Sequence, residues 1–287
     1  MTTPVRTYQQ FHRTALVAIS TAVLLLPSCA RKTVAPKPTP AIATDNAPAA
    51  PTPQPRDSTP TPTPTPPAPP PAPVAPPPAV FRETFPGLRV DIASKTIEFD
   101  AEVPINAQDE RVYLEVLVCT PNSREHETLV VTKVKPSHIH ATLLLMGLKE
   151  GTPPRWDFDG TNLTAVAPTG PRVEVFLREA GQPASANRSI AEFVTSIAND
   201  KSLATHIRAG AASPDHMVFA GSRFVENIYA ADMDGTVVGL TAFGSETIAW
   251  TGMYHPDTDR MTPEWIADGD KLPKFRTKMI VTITARE

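Results

Sequence analysis

Cysteine is scarce in this chain, which has only two among its 287 residues, Cys29 and Cys119. Small secreted domains without a sufficient core usually depend on several disulfides. If Cys29 is modified, Cys119 has no partner within the chain. We therefore expect the folded part to be held together by a packed hydrophobic core rather than by crosslinks.

Positive charge is not in excess either, because 30 aspartates and glutamates outnumber 27 lysines and arginines. The formal net charge of the chain is −3. A domain that binds nucleic acid normally shows a basic footprint. We therefore predict no nucleic-acid partner.

The N-terminal apolar run covers only residues 15–26, whereas a transmembrane helix needs about 20 apolar residues. Arg6 and Arg13 precede this run, and Ser28-Cys29 follows it. This pattern is typical of a lipoprotein-type signal peptide over residues 1–29 with lipidation at Cys29, although Pro27 departs from the usual residue. The alternative is an ordinary secretory signal with an incidental cysteine.

Lipidation at Cys29 would make a membrane the first partner of this protein. Each buried CH2 group of a lipid chain adds about 0.8 kcal/mol of membrane affinity, so several chains give a lasting anchor. We expect secretion across the inner membrane and anchoring in the bacterial envelope. The periplasmic side and the outer-membrane side are the two alternatives for the location of the anchored protein.

Proline dominates the next segment, since 19 of the 34 prolines fall between Pro36 and Pro78. This segment has no aromatic residue and few charges, so it has too little apolar surface to offset the entropy of ordering. We predict a disordered, proline-rich linker over residues 30–80, extended and semi-rigid. Such tracts are typically spacers, and recognition by a proline-binding domain is the alternative.

Residues 81–287 have a globular composition that predicts one domain. The pattern predicts a helix that begins at Pro136 or Ser137, and its apolar residues lie on nearly every face, which is typical of a buried core helix. Residues 189–198 are a candidate second helix. Alternating apolar and polar residues predict strands at Leu88–Ile92, Thr96–Val103, Tyr113–Cys119, Thr128–Val134, Arg172–Leu177, Met217–Ala220, Asn227–Ala230, Val237–Phe243 and Lys278–Thr284. The fold class is therefore α+β, with a mainly antiparallel sheet and one buried core helix.

Several segments of this domain, in their order along the chain, resemble the YdjY-like domain family of uncharacterised bacterial envelope proteins. They are Leu114–Cys119, Arg124–Leu129, Lys135–Ala141, Leu144–Leu148, Met217–Ser222 and Tyr229–Gly235. The resemblance implies a YdjY-like domain over residues 81–287 and assigns no catalytic residue. Some relatives are linked to iron–sulfur proteins through cysteine motifs, which this sequence does not contain.

One group of side chains is a candidate ligand or metal site: Cys119, His126, Glu127, His138 and His140. Thiolate, imidazole and carboxylate groups bind zinc or iron, and a histidine beside a cysteine can activate a thiol. The spacing matches no compact metal motif, because Val130 stands where a second histidine would complete HExxH. The alternative is that these groups cap the helix and satisfy loop backbone.

Two further segments, Arg155–Gly160 and His255–Asp259, place acids near an aromatic residue or a histidine. Each can line a polar cleft, and each is equally typical of a turn. The sequence shows no phosphate loop, no dinucleotide fingerprint and no paired-acid motif, and Ser222 lacks the Gly-x-Ser-x-Gly setting of a nucleophile.

These observations support two hypotheses about function. The first is an envelope-anchored accessory protein that binds an envelope protein or a small ligand. The second is a metal- or thiol-dependent enzyme or redox protein that uses the five residues of the candidate site.

Overall fold

The structure is a computed structural model, and it describes residues 80–208 and 215–286. The predicted signal peptide, Cys29 and the predicted linker up to residue 79 lie outside the described residues. In the described part of the chain, no helix has the length and apolar character needed to cross a membrane.

The described residues form one sheet-rich domain with three short α-helices. The strands are β1 (Arg82–Phe85), β2 (Leu88–Asp91), β3 (Thr96–Glu102), β4 (Val116–Cys119), β5 (Val130–Val131), β6 (Arg155–Phe158), β7 (Leu163–Val166), β8 (Arg172–Glu179), β9 (Arg188–Ser189), β10 (Val194–Ser196), β11 (Met217–Phe219), β12 (Phe224–Val225), β13 (Ile228–Tyr229), β14 (Thr236–Gly239), β15 (Ile248–Trp250), β16 (Trp265–Ala267) and β17 (Lys278–Ala285). The helices are α1 (Pro136–Leu145), α2 (Leu203–Arg208) and α3 (Ala230–Asp234). Short 3-10 helices occupy Glu125–Glu127, Ala184–Ala186 and Ile190–Phe193.

The main sheet has 11 strands in the order β1-β2-β3-β17-β8-β11-β15-β14-β4-β5, with β9 beside β8. Strand β5, which is last in this order, also pairs with β3 near the other end. The strands from β3 through β17 to β5 therefore form a closed ring. Within the main sheet, the β14–β15 and β4–β5 pairs are parallel and the other pairs are antiparallel.

The core fills the ring because alternate residues of its long strands point inward. Phe99 of β3 pairs with Val281 of β17, which pairs with Leu177 of β8, and all three are fully buried. These strands are rich in β-branched and aromatic residues, which pack well on a pleated surface. Their predicted positions are confirmed, although several boundaries differ by a few residues.

The opposite side of these strands carries a buried ion pair. Arg178 donates two hydrogen bonds to the carboxylate of Glu98, at 2.8 and 2.9 Å. It also donates to the side-chain oxygens of Asn187 and Thr282, both at 3.1 Å. A buried charge pair is tolerated where such additional bonds satisfy its remaining polar atoms.

Thr132 connects the strands at the point where the ring closes. Its hydroxyl donates to the carbonyl oxygen of Asp100 in β3 at 2.7 Å, and its amide donates to the carbonyl of Cys119 in β4 at 2.9 Å. The same hydroxyl accepts the amide of Val134 at 3.1 Å. One buried threonine therefore links both neighbours of β5.

Helix α1 begins at Pro136, as predicted, but it is not buried on every face. Its buried residues are Pro136, Ile139, Thr142 and Leu143, whereas Leu144 and Leu145 are 41% and 56% exposed. The expectation of a fully buried core helix is therefore wrong. The sequence pattern records apolar residues but not how many layers surround a helix.

Ser137 does not cap α1 with its own side chain. Instead, Asp232 of α3 accepts the amide and the hydroxyl of Ser137, at 2.8 and 2.6 Å. A carboxylate at this position satisfies a free amide and interacts favourably with the helix dipole.

The predicted helix at residues 189–198 is also wrong. The segment forms the end of β9, the 3-10 helix Ile190–Phe193 and strand β10. Buried Ile190, Phe193 and Val194 are held by these short elements rather than by a helical face. The coarser α+β prediction, a single domain made mostly of sheet with few helices, is confirmed.

Replacing Thr132 with valine tests the importance of ring closure. Thr132→Val keeps the shape of the side chain but leaves the Asp100 carbonyl and the Val134 amide without their partner. Loss of such a buried bond costs about 1–3 kcal/mol, and we expect this decrease in the free energy of unfolding, measured by urea denaturation. Thr161→Val, at an exposed turn, is the control and should change it by less than about 0.5 kcal/mol. Equal stability of both variants would contradict this role.

Candidate functional site

The five predicted site residues do not form one centre. Within residues 80–208 and 215–286, no group of three or more histidine, cysteine, aspartate or glutamate side chains is arranged to hold a metal ion. The structure instead places the five residues in separate surroundings, and only His126 and Glu127 are in contact, with His126 Nε2 3.6 Å from Glu127 Oε1.

Cys119 ends β4 and is 1% exposed. Burial raises the pKa of its thiol, and hydrogen bonds with the side chains of Ser123 and Thr128 oppose this effect only in part. A reactive cysteine needs both access and thiolate character. Cys119 has neither property and serves as part of the core.

The two helix histidines have different partners. The ring of His138 stacks on Phe85, with centroids 4.0 Å apart. His140 Nδ1 lies 2.9 Å from the hydroxyl oxygen of Tyr229, which donates to the Gly221 carbonyl at 3.0 Å. Burial lowers the pKa of His140, against a smaller opposing effect of Glu150. Both histidines therefore attach α1 to its surroundings, which agrees with the structural alternative.

His126 and Glu127 lie in the 3-10 helix after β4 but line different cavities. His126 is exposed and borders an open groove of about 780 Å³ that also contains Lys274 and Phe275. Glu127 lines a smaller cavity of about 240 Å³ on another side. The two side chains contact each other, and each borders a different cavity.

Glu127 meets a second carboxyl group, Glu115, in the smaller cavity. The Glu115 amide donates to the Glu127 carbonyl at 3.1 Å, so the backbone fixes the two residues side by side. Burial and the neighbouring Glu127 carboxyl raise the pKa of Glu115 to about 7, while Arg124 opposes this shift. The Arg124 Nε atom lies 3.7 Å from Glu115 Oε2, and its guanidinium group packs over the ring of Phe243. We call Glu115 and Glu127 the acid pair.

The cavity beside the acid pair, which we call the acid-pair pocket, is bordered on its other side by Tyr254, His255, Glu264 and Trp265. The Tyr254 hydroxyl donates to Glu264 Oε2 at 2.6 Å, and Ser196 donates to Glu264 Oε1 at 2.9 Å. Burial and the Glu264 carboxylate raise the pKa of Tyr254. A third carboxylate is thus held in place by two hydroxyl donors.

Backbone pairing explains how distant parts of the chain form this pocket. The Leu114 amide donates to the Trp265 carbonyl at 2.9 Å, which attaches the segment before β4 to β16. Strand β16 pairs with β10 in a separate two-stranded sheet, where Ser196 lies opposite Trp265. The acid-pair pocket therefore lies where the ring strand β4 meets this small sheet.

The three tryptophans of the chain all belong to the surroundings of this pocket. The rings of Trp250 and Trp265 lie 5.5 and 6.0 Å from that of Tyr254, and the ring of Trp156 lies 4.7 Å from that of His255. Each indole nitrogen is buried and has no hydrogen-bond partner in the described structure. Buried polar groups are normally satisfied. Of the three tryptophans, Trp265 lines the pocket, whereas Trp156 and Trp250 lie behind its lining residues.

Sequence reasoning missed most of this site. The sequence contained one indication of a role for Glu115, because this residue places a carboxylate between the apolar residues of a predicted strand. The sequence left a polar cleft and a plain turn as alternatives for two segments. Residues of His255–Asp259 line the pocket, whereas no residue of Arg155–Gly160 does, although the Trp156 ring contacts that of His255. The acid pair has no sequence motif, because its members are brought together by the turn after β4.

Comparison with protein families matches the YdjY domain to residues 88–284. The match covers more than half of the chain, and the chain therefore belongs to the YdjY domain family. Searches of curated proteins and of solved structures found no match.

The raised pKa of Glu115 predicts a pH-dependent cost of folding. Because the pKa rises from 4.5 to about 7 on folding, the folded state binds the proton more tightly, and stability decreases as pH rises through this interval. We expect Glu115→Gln to have nearly wild-type stability at pH 4 and to be more stable at pH 8, by on the order of 1 kcal/mol or about 2–4 °C in Tm. Thermal unfolding at both pH values measures the difference.

Glu226→Gln, in an exposed turn outside the pocket, is the control and should follow the wild-type profile. Glu246 is also expected to retain its own pH dependence in every variant, because burial raises its pKa to about 7 as well. A Glu115→Gln protein that is less stable than wild type at pH 8 would show that Glu115 is ionised and favourably paired.

Proposed function

We propose that this member of the YdjY domain family is an envelope-anchored accessory protein that binds a small ligand in the acid-pair pocket. The observation that carries this proposal is that the carboxyl groups of Glu115, Glu127 and Glu264 line one cavity, where the first two residues lie side by side. Burial and the Glu127 carboxyl raise the pKa of Glu115 to about 7, and a carboxyl group with such a shift in a cavity is typical of a functional site.

The anchoring part of the proposal is supported by the sequence. Residues 1–29 have the pattern of a lipoprotein signal peptide, and the proline-rich segment that follows is suited to hold a binding domain away from a membrane. The alternative, a metal- or thiol-dependent enzyme or redox protein that contains zinc or iron, has less support in the described residues. Cys119 is buried there, and no group of metal ligands includes it.

Tryptophan fluorescence provides a direct test of ligand binding. Because Trp265 lines this pocket and the other two tryptophans contact its lining residues, a ligand that enters it should change the emission of the intact protein. Titration with a library of small polar compounds measures the effect. We expect Tyr254→Phe, which removes a donor to Glu264, to weaken binding about tenfold, since bonds to charged groups contribute about 1.5–3 kcal/mol.

Tyr229→Phe is the matched control, because it removes a buried hydroxyl outside the pocket and should leave the affinity unchanged. If no compound in the library alters the emission, the binding function is refuted. Elemental analysis of the same preparation tests the alternative, since stoichiometric zinc or iron lost in Cys119→Ala would favour a metalloprotein.

Cell fractionation tests the anchor. We expect the full-length protein to be found in the membrane fraction of a bacterial host and to carry lipid on Cys29, as detected by mass spectrometry of the N-terminal peptide. Cys29→Ser should move it out of the membrane fraction, because no acyl chain then contributes affinity. Cys119→Ala, which removes the other cysteine, should leave the distribution unchanged. A wild-type protein with unmodified Cys29 in the cytosol would contradict the proposal.

A further inference from the structure

We infer that this domain associates with a second copy of itself through an exposed apolar surface formed by α1, α3 and the β12–β13 hairpin. This surface, which we call the apolar face, consists of Leu144, Leu145, Phe224, Val225, Ile228 and Met233. The inference goes beyond the proposed ligand binding and does not depend on it, because none of these residues lines the acid-pair pocket.

The β12–β13 hairpin exposes apolar side chains although it is very short. Its strands form only two residue pairs, Phe224 with Tyr229 and Val225 with Ile228. Paired residues lie on the same face of a hairpin, so Phe224, which is 70% exposed, and Ile228, which is 51% exposed, lie on opposite faces. A two-stranded hairpin is marginally stable in water by itself. A partner that covers these side chains would therefore stabilise it.

Helices α1 and α3 extend the apolar face beside the hairpin. The buried ring of Tyr229 links the two parts, because its centroid lies 5.6 Å from that of Phe224 and 5.3 Å from that of His140 in α1. Leu144 follows His140 by four residues and therefore lies on the same side of α1. Met233, which is 58% exposed, belongs to α3, whose carboxylate bonds to the first turn of α1. The exposed apolar residues of the three elements are therefore neighbours.

Charged groups of both signs surround the apolar face. Lys149 and Glu150 follow the end of α1, Arg223 precedes β12, and Asp234 ends α3. None of these four groups forms an ion pair with another described residue. Complementary interfaces place cations opposite anions. A two-fold dimer uses the same surface on both copies, so a surface that carries both signs can pair with itself.

A lipid surface and the linker of the same chain match these features less well than a second copy does. Strands β12 and β13 form a sheet of their own, so the outer edge of each has no strand beside it in the described structure. Open sheet edges do not occur in the hydrocarbon of a membrane. Proline has no N–H group to bond to such an edge, and the segment from Pro36 to Pro78 has few charges. A second copy supplies apolar side chains, strand edges and charges of both signs.

Sedimentation of the full-length protein in density-matched detergent tests this dimer. We expect the wild type to change from one chain to two chains per particle as its concentration increases. Phe224→Ser should raise the dissociation constant about tenfold or more, because it removes a large apolar side chain from the interface. Phe158→Ser, which changes a similarly exposed phenylalanine in the β6–β7 hairpin, is the control and should associate like wild type.

Two further measurements keep the test decisive if Phe224→Ser does not fold. Leu145→Ser probes the same face from α1 and should also weaken association about tenfold. A photo-crosslinking amino acid at position 233, in a mixture of unlabelled and isotope-labelled chains, identifies the occupant by mass spectrometry. Crosslinks between differently labelled chains at residues of the apolar face would support the dimer.

Three results would overturn the inference. They are a wild type that stays monomeric at every concentration, equal association of the Phe224, Leu145 and Phe158 variants, and crosslinks from position 233 to lipid or to the linker of the same chain. None of these results changes the outcome of the ligand titration, so the failure of this inference is distinguishable from the failure of the proposed function.

Discussion

The closure of the main sheet through β5 is the constraint on which the rest of this domain depends. Only one residue pair, Glu102 with Val131, joins β5 to β3, and Thr132 strengthens the junction by bonding to both neighbouring strands. The one described cysteine is free, so no crosslink in the described residues replaces this contact. A ring encloses its core on all sides, which allows alternate residues of β3, β17 and β8 to be buried completely.

Ring closure also determines where the acid-pair pocket forms. Strand β4 is held between β14 and β5, so the residue that precedes it, Glu115, is fixed at the end of the ring. The chain then turns through a 3-10 helix and returns Glu127 to the same place, where their backbones bond. The small sheet of β10 and β16 supplies the opposite wall. The pocket is therefore a consequence of strand order, and its residues come from regions far apart in the sequence.

This origin explains which features sequence reasoning could predict. The long strands and α1 have local patterns, two-residue alternation and a proline at the helix start, and these were predicted within a few residues. The burial of α1 was overestimated, because the pattern of Leu144 and Leu145 carries no information about a missing second layer. The pocket was not predicted, since no local pattern relates Glu115 to Trp265. The same limit applies to Cys119 and His140, whose chemistry suggested a common site although their partners differ.

Two carboxyl groups, one buried and one half-buried, show how structural and functional acids can be told apart. The pKa values of Glu246 and Glu115 are both raised to about 7 by burial, so the shift alone does not distinguish them. Glu246 accepts backbone amides of its own loop, including that of Gly244 at 3.1 Å, and these bonds hold the loop between β14 and β15 in shape. Glu115 instead lies beside the carboxyl group of Glu127 in the wall of a cavity. A carboxyl group enclosed by amides of its own loop stabilises the fold, whereas a carboxyl group beside a second acid in a cavity wall is accessible to a ligand.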